Sequence, residues 1–541
     1  LKTTARLSGK SRVGLAQRGA RRRVDSHRRM GNGSAPCCLH DSKLPVEFSE
    51  VEASRKAGRR CGGVDEAAEV ASGSRAPVFR RKMEARGLRQ EFIEGWLNLY
   101  KRLEAGDRGL IPEASIEPVL ELRDLASLPE GDPALLSRAV VLKLNGGLGT
   151  GMGLHKAKSL LELKPGCTFL DLIAKQATRL QERHGVRFML LNSFATEDDT
   201  KEFMKSYPEI YRSWESVSLM QNLAPKVHAK TLAPGAWPEK PSCEWCPPGH
   251  GDIYAALAGN GQLARLLADG YKYMFVSNSD NVGATLDLKL LTYLASSGAP
   301  MVMEVCIRGE DDKKGGHLAR AAAAEGTGGA GGLLLRESAQ CPKEDEASFQ
   351  DIEKHRFFNT NNLWFNLEKL KEAMDASNGV LPLPLIMNEK HIDPCSKGNP
   401  GPKVFQLETA MGAAISSLPG SEAVCVPFSR FAPVKTCDQL FGLRSDAYQI
   451  SEDFTPVLAP GACKPIVEFD GNYKMVPDME LACPEGLPSL KECKKLTVKG
   501  KVKFAKGTVC RGEVVVVNAS EAQRLEAGGV LTGIVRLEER W

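Results

Sequence analysis

The stretch AVVLKLNGGLGTGMGLHKAKSL, residues 139–160, decides how the chain is read. Ala139, Val140, Val141, Leu142 and Leu144 form a β-prone apolar run that leads into Gly146, Gly147, Gly149, Gly151 and Gly153. Lys156 and Lys158 follow in a basic, helix-compatible segment. A buried strand that empties into a glycine-rich turn and then a helix is suited to phosphate. Glycines let the backbone come close, and a helix N-terminus offers free N–H groups. The stretch is not a Walker A loop, because Ala157 precedes Lys158, and not GxGxxG, because Met152 stands where the last glycine belongs. The same residues without a ligand would be a tight strand-to-helix connection.

Around this stretch, apolar runs alternate with helical periodicity. VRFMLLNS (186–193), YKYMFVSNSDN (271–281) and APMVMEVCIR (299–308) read as buried strands. FLDLIAKQATRLQERHG (169–185) reads as a helix stopped by Gly185, and TEDDTKEFMKSY (196–207) as one with Thr196 at its N-cap. Such alternation predicts a parallel sheet with crossover helices, which binds ligands at the carboxyl ends of its strands. Upstream, Leu88, Phe92, Trp96 and Tyr100 recur at helical spacing as far as about Leu103. AAAAEGTGGAGG (321–332) reads as a surface loop. LTVKGKVKFAKGTVCRGEVVVV (496–517) alternates apolar and polar residues between glycines, which suits a small β-solenoid or the edge of a β-sandwich.

The 541 residues, 42% hydrophobic and 26% charged, can bury a large core and suggest about three to four domains. No run approaches the roughly 18 apolar residues of a membrane span. The net charge of +5 is unevenly placed, since residues 1–30 hold ten basic side chains against a single acid, Asp25. The rest of the chain is slightly acidic, and no nucleic-acid partner is expected for it. Residues 1–82 lack hydrophobic periodicity and read as a disordered basic extension. That extension suits RNA binding, organelle targeting, or a translated upstream region ahead of Met30. Ala35 breaks the myristoylation pattern after Met30. The fifteen cysteines form no disulfide-like framework. Cys243 and Cys246 make one CxxC without a second pair, so reduced thiols are expected rather than zinc.

Four further segments carry candidate chemistry. PPGHGDIYAAL (247–257) joins Gly249, His250 and Asp252 in a rigid turn that either faces a planar base or caps a helix. VSNSDNVGATLD (276–287) ends a strand on Asp280, which fits either a hard oxygen ligand for Mg²⁺ or an Asx turn. KKGGHLAR (313–320), RESAQ (336–340) and FFNTNNLWF (357–365) supply close-approach glycines, Glu337 and asparagine-rich turns able to pair with hydroxyls. RFAPVKTCDQL (430–440) offers Arg430 and Lys435 to a polyphosphate or simply to solvent.

Taken together, LKLNGGLGTGMG, PPGHGDIY, SNSDNVGAT, KKGGH, FNTNNLW, QLETAMGAAI (406–415) and RFAPVKT resemble the UTP–glucose-1-phosphate uridylyltransferase (UDP-glucose pyrophosphorylase) family, in the family's order. The Gly151 and Lys156–Ala157 variants, with RESAQCPK (336–343), are similar to the protozoan pattern. The resemblance covers about residues 83–541. It implies an N-terminal helical segment (83–135), a Rossmann-like nucleotidyltransferase domain with a mixed, mostly parallel sheet (136–450), and a C-terminal left-handed parallel β-helix (451–541). It implies reversible, Mg²⁺-dependent conversion of UTP and glucose 1-phosphate to UDP-glucose and pyrophosphate. By motif, Leu144, Asn145, Gly146, Gly147, Gln221, Gly249 and His250 would hold the nucleotide, and Asp280 the nucleotide and its metal. Gly316, Glu337, Asn359 and Asn361 would hold the sugar, and Lys158 and Lys435 would be catalytic. A cytoplasmic monomer is expected. The competing readings are a UDP-sugar or UDP-N-acetylhexosamine pyrophosphorylase, and an inactive nucleotide- or RNA-binding relative.

Overall fold

The computed structural model describes residues 74–322, 331–394, 396, 398–520 and 523–538. The basic extension up to residue 73 and most of the 321–332 loop lie outside them. Within residues 74–82 the expected disorder is replaced by a helix, Ala76–Glu84. Phe79 and Met83 are fully buried there. Phe79 packs against Trp96 and Tyr100 of the next helix, Gln90–Glu104, with ring centroids 4.8 and 4.5 Å apart. The roughly two turns before Met83 show too little periodicity to be read from sequence, but tertiary contacts supply their stability.

The central sheet follows the predicted alternation. Its strands are β1 (Ala139–Asn145), β2 (Arg187–Asn192), β3 (Ser218–Met220), β4 (Tyr273–Asn278), β5 (Met301–Ile307), β6 (Phe357–Asn366) and β7 (Glu422–Cys425). Their order across the sheet is β7-β5-β6-β4-β1-β2-β3, with the short strand Arg123–Asp124 beyond β7. All of these pairs are parallel except those of β6, which runs antiparallel to both β4 and β5. Two apolar layers cover the two faces. Val140, Leu142, Met189 and Met274 point into one, and Val141, Phe188, Leu190 and Phe275 into the other. Burial on both faces is why these strands appear as unbroken apolar runs.

Helix Phe169–His184 begins with a Thr168–Asp171 capping box and ends on Gly185, at φ 72°. Thr196 stands at the N-cap of Glu197–Met204, but its hydroxyl accepts from the Ser193 N–H rather than capping.

The C-terminal region holds β8 (Ile466–Phe469), β9 (Ser489–Lys499), β10 (Val509–Asn518) and β11 (Val530–Leu537). They pair in parallel in that order. Val502–Phe504 and Leu525–Ala527 form a second parallel pair. Leu496, Val498, Val514 and Val516 are fully buried and join a core shared with Phe441 and Tyr473. The apolar–polar alternation of 496–517 thus marks strands with one inward face.

Candidate functional site

The glycine stretch departs from expectation in one respect. No helix follows it. Turns at Thr150–Met152 and Lys158–Leu160 lead instead to a short hairpin, and the first α-helix starts at Phe169. Gly149 and Gly153 take φ of +65° and +77°, which breaks any helix at its first turn. The positive charge at the loop therefore comes from Lys158 rather than from a helix dipole. The Lys158 N–H donates to the Gly147 carbonyl at 2.9 Å, and its Nζ donates to Asp280 Oδ2 at 2.6 Å. Both side chains of this pair are 16% exposed. The glycine loop and the end of β4 are thereby joined.

From there a chain of contacts runs through the predicted residues. Leu144 lies opposite Asn278 in the β1–β4 register. Asn278 Oδ1 accepts from Asn361 Nδ2 at 2.9 Å, and the Asn361 N–H donates to Asn359 Oδ1 at 2.9 Å. The Asn359 N–H donates to the Gly316 carbonyl at 3.3 Å. A Cβ on Gly316 would stand 2.5 Å from Glu337 Oε2. Burial raises the Glu337 pKa, and the Lys435 charge opposes that rise. Asn359 and Asn361 sit in strand β6, not in a turn. Asn361 has φ +60°, next to a register shift in the β5–β6 pairing. Its buried Oδ1 has no partner among the described residues. A strained residue holding an unsatisfied acceptor is a feature of ligand sites.

On the other side of the loop, a Cβ on Gly146 would stand 2.6 Å from Gln221 Oε1, so this glycine allows Gln221 to lie on the loop. Gln221 is followed by Asn222, which bonds to Asp252 through both its backbone N–H and Nδ2, at 2.7 and 2.9 Å. Burial raises the Asp252 pKa to about 6, against the pull of the Asn222 bonds. Gly249 lies against Thr409, and His250 Nδ1 accepts from the Met411 N–H at 2.8 Å. Burial lowers the His250 pKa to about 4, so the ring is a neutral staple at neutral pH. Gly147 is exposed with open space beside it. Lys435 is also exposed, 5.6 Å from the Phe431 ring.

One sequence-predicted role does not fit the geometry, that of Arg430. The Asn145 side chain is buried, with Nδ2 on Asn192 Oδ1 and Thr200 Oγ1 at 2.8 and 3.0 Å, which leaves its backbone as the part open to a ligand role. Arg430 does not reach a polyphosphate. It is buried, with Nε and Nη2 on Glu304 Oε2 and Oε1 at 2.7 and 2.6 Å. The Arg430 carbonyl accepts from Asn281 and Asn362, and the Val434 N–H donates to the Asp280 carbonyl at 3.1 Å. Arg430 thus fastens the segment carrying Lys435 to the turn carrying Asp280. Sequence reasoning missed Glu304, Asn222 and Thr409, whereas Asn362 belongs to the asparagine cluster it singled out and lies beneath the site on Glu304 and the Arg430 carbonyl. The one available signal was the charge of Glu304 inside the apolar run MVMEVC. Cys243 and Cys246 are buried and form no disulfide. Among the described residues no cluster of three or more His, Cys, Asp or Glu is placed to hold a metal.

Parallel strands that deliver a glycine loop and a lysine–carboxylate pair to one edge place the chain among α/β proteins that handle phosphorylated nucleotides. The model of the UTP–glucose-1-phosphate uridylyltransferase family matches residues 97–511. The Saccharomyces cerevisiae UTP–glucose-1-phosphate uridylyltransferase is 36% identical over 426 residues, covering 77% of this chain and 82% of that protein. The Solanum tuberosum enzyme of the same name is 37% identical over 441 residues, covering 79% and 88%. A Leishmania major UDP-glucose pyrophosphorylase mutant, solved in complex with UDP-glucose, superposes with a TM-score of 0.81. It is 47% identical over 86% of this chain and all of that one. The Trypanosoma brucei UDP-glucose phosphorylase gives a TM-score of 0.77 at 47% identity, over 86% of this chain and 99% of that one. This chain belongs to the UTP–glucose-1-phosphate uridylyltransferase family.

Proposed function

We propose that this protein transfers the uridylyl group of UTP to glucose 1-phosphate, releasing pyrophosphate and forming UDP-glucose, reversibly. The observation that carries this reading is the Lys158–Asp280 pair at 2.6 Å, set between the glycine loop and the Asn361–Gly316–Glu337 wall. In it, the backbone of Leu144, Asn145, Gly146 and Gly147 borders the nucleotide. Gln221 and Gly249 read the uracil, and His250 holds their turn in place. Gly316, Glu337, Asn359 and Asn361 meet the glucose hydroxyls. Asn361 Oδ1, buried without a partner, is an acceptor suited to one of them.

A phosphate monoester oxygen attacks the α-phosphorus in line, the bond to the bridging oxygen breaks, and pyrophosphate leaves with the electron pair. The nucleophile is already ionised, so no general base is needed. Catalysis then rests on positioning and on cations facing the developing charge. Lys158 and Lys435 are those cations. The Asp280 carboxylate already faces one cation, Lys158 Nζ, and a lone carboxylate supplemented by substrate phosphates is a common donor set for Mg²⁺. Mg²⁺ held at Asp280 would neutralise triphosphate charge.

In the same reading, residues 136–450 are the nucleotidyltransferase unit, preceded by the helical segment of 83–135. The parallel strands within 451–541 are turns of a left-handed β-helix. The parallel β8–β11 pairing supports this. In this reading the protein is a cytoplasmic monomer, and light scattering should return a mass near 58.7 kDa. No described helix is long and apolar enough to cross a membrane.

The test is a pyrophosphate-release assay across nucleotides and sugar 1-phosphates, with and without Mg²⁺. UTP with glucose 1-phosphate is the expected pair. Lys158→Ala should lower turnover about 10²-fold or more, the scale of losing one electrostatic stabiliser. Near-wild-type turnover in that variant would sink the assignment.

A further inference from the structure

We infer that Asp252 is a positioning residue for base recognition, which locks Gln221 onto the glycine loop by clamping Asn222 with both carboxylate oxygens. This deepens the uridylyl-transfer reading and rests on it.

The argument starts from the order of the contacts. Gln221 follows strand β3, and its N–H donates to the Asn192 carbonyl at 2.8 Å. That bond holds one end of the corner to the sheet. The other end is Asn222, whose N–H and Nδ2 both go to Asp252. The two bonds use different carboxylate oxygens, so the clamp restricts rotation as well as distance. Asp252 itself is 4% exposed and sits at the N-cap of helix Ile253–Gly259 without capping it. Its carboxylate is therefore given to Asn222 rather than to its own helix. A buried carboxylate without a cation is costly unless donors saturate it. No ion pair to Asp252 exists among the described residues, so Asn222 is the partner that offsets the cost.

The turn bearing Asp252 is fixed from behind. The Gly251 N–H donates to the Thr409 carbonyl at 2.9 Å, and Tyr254 Oη donates to the Met411 carbonyl at 2.7 Å. The Met411 N–H donates to His250. Asp252 therefore joins two segments far apart in sequence, 221–222 and 249–252, into one rigid wall. Gly146 completes it, because only a residue without Cβ leaves room for Gln221 Oε1. Loosening the corner should let Gln221 swing away from the base while leaving Lys158, Asp280 and the sugar wall untouched.

The experiment compares wild type with Asp252→Asn, Asn222→Ala and the exchanged double variant Asn222→Asp/Asp252→Asn. In Asp252→Asn the new amide NH₂ faces one of two donors, so one bond is lost and a donor is left opposed. KM for UTP should rise about tenfold, the equivalent of one such bond. Selectivity for UTP over CTP should fall by a similar factor. KM for glucose 1-phosphate and kcat should change by less than about threefold. The exchanged variant restores both bonds, because residue 252 then accepts from the backbone N–H and donates to the new carboxylate. It should recover KM for UTP to within about threefold of wild type. Asn222→Ala keeps the backbone bond and the carboxylate and removes only the side-chain donor, and should raise KM for UTP about threefold. Equal rises in both KM values, or an exchanged variant no better than Asp252→Asn, would overturn the inference. If Asp252→Asn does not fold, wild-type KM for UTP and wild-type selectivity in Asn222→Ala would also overturn it. If the wild type itself transfers no uridylyl group, the functional reading fails instead.

Discussion

Replacing Glu304 by Gln tests whether the site is carried by a buried ion pair. Glu304 has no exposed side-chain surface, and Arg430 has 9%. Four donors converge on its carboxylate. Arg430 Nη2 and Trp364 Nε1 reach Oε1 at 2.6 and 2.8 Å, and Arg430 Nε and Asn362 Nδ2 reach Oε2 at 2.7 and 3.1 Å. A glutamine amide has one acceptor, so in either orientation its NH₂ opposes two donors. The guanidinium keeps its bond to the Thr285 carbonyl at 3.0 Å, but the nearest remaining carboxylate is Asp287, 3.7 Å away. Lys143, already lowered to about 7 by burial and by the Arg430 charge, loses the nearby anion that offsets them. Breaking one partner of a buried pair costs about 3–5 kcal/mol. The urea midpoint should fall by the corresponding amount, read by tryptophan fluorescence. Turnover should fall too, because Arg430 and Asn281 hold residues 432–434 against Asp280. Glu304→Leu combined with Arg430→Met, which removes both charges, should recover most of the stability. A Glu304→Gln variant within about 1 kcal/mol of wild type would refute the reasoning, since exposed pairs behave that way.

Three other outcomes are expected. Gly316→Ala places a methyl 2.5 Å from Glu337 Oε2 and must displace that carboxylate, so KM for glucose 1-phosphate should rise about tenfold with KM for UTP unchanged. His317 stacks on His355 with centroids 3.9 Å apart. Burial, then the His355 and Arg308 charges, lowers the His317 pKa to about 2, and burial also lowers that of His355. A lowered folded pKa means the unfolded chain binds the extra proton, so stability falls as pH drops below about 6.5, by up to about 1.4 kcal/mol per pH unit for each ring. His317→Phe should flatten that slope in urea titrations between pH 7 and 5. Phe79→Ala should cost about 3–5 kcal/mol in thermal or urea unfolding, because Phe79 is buried between Trp96 and Tyr100.

The order of strands and helices in the catalytic half was legible because its strands are buried on both faces and its helices carry one apolar stripe. Val140 to Leu142 and Phe188 to Leu191 show this as unbroken runs. Residues that line the candidate site were legible through their motifs. Gly146, Asp280, Gly316, Glu337 and Asn359 all fall along one connected line of contacts.

What the chain alone did not disclose was which polar residues face the site and which are sealed beneath it. Arg430 and Asn145 carry the same chemistry as residues that bind phosphate or hydroxyls. Their roles are set by burial and by partners distant in sequence, Glu304 for one and Asn192 for the other. The same holds for Asp252, which resembles an ordinary helix cap until Asn222 is brought against it. The glycine stretch was legible as a close-approach loop after a buried strand, because its composition dictates a broken backbone. Only the tertiary structure decided that its charge is Lys158 set on Asp280 rather than a helix end. Local composition sets what the backbone can do, whereas a pairing across 122 residues depends on how the sheet closes.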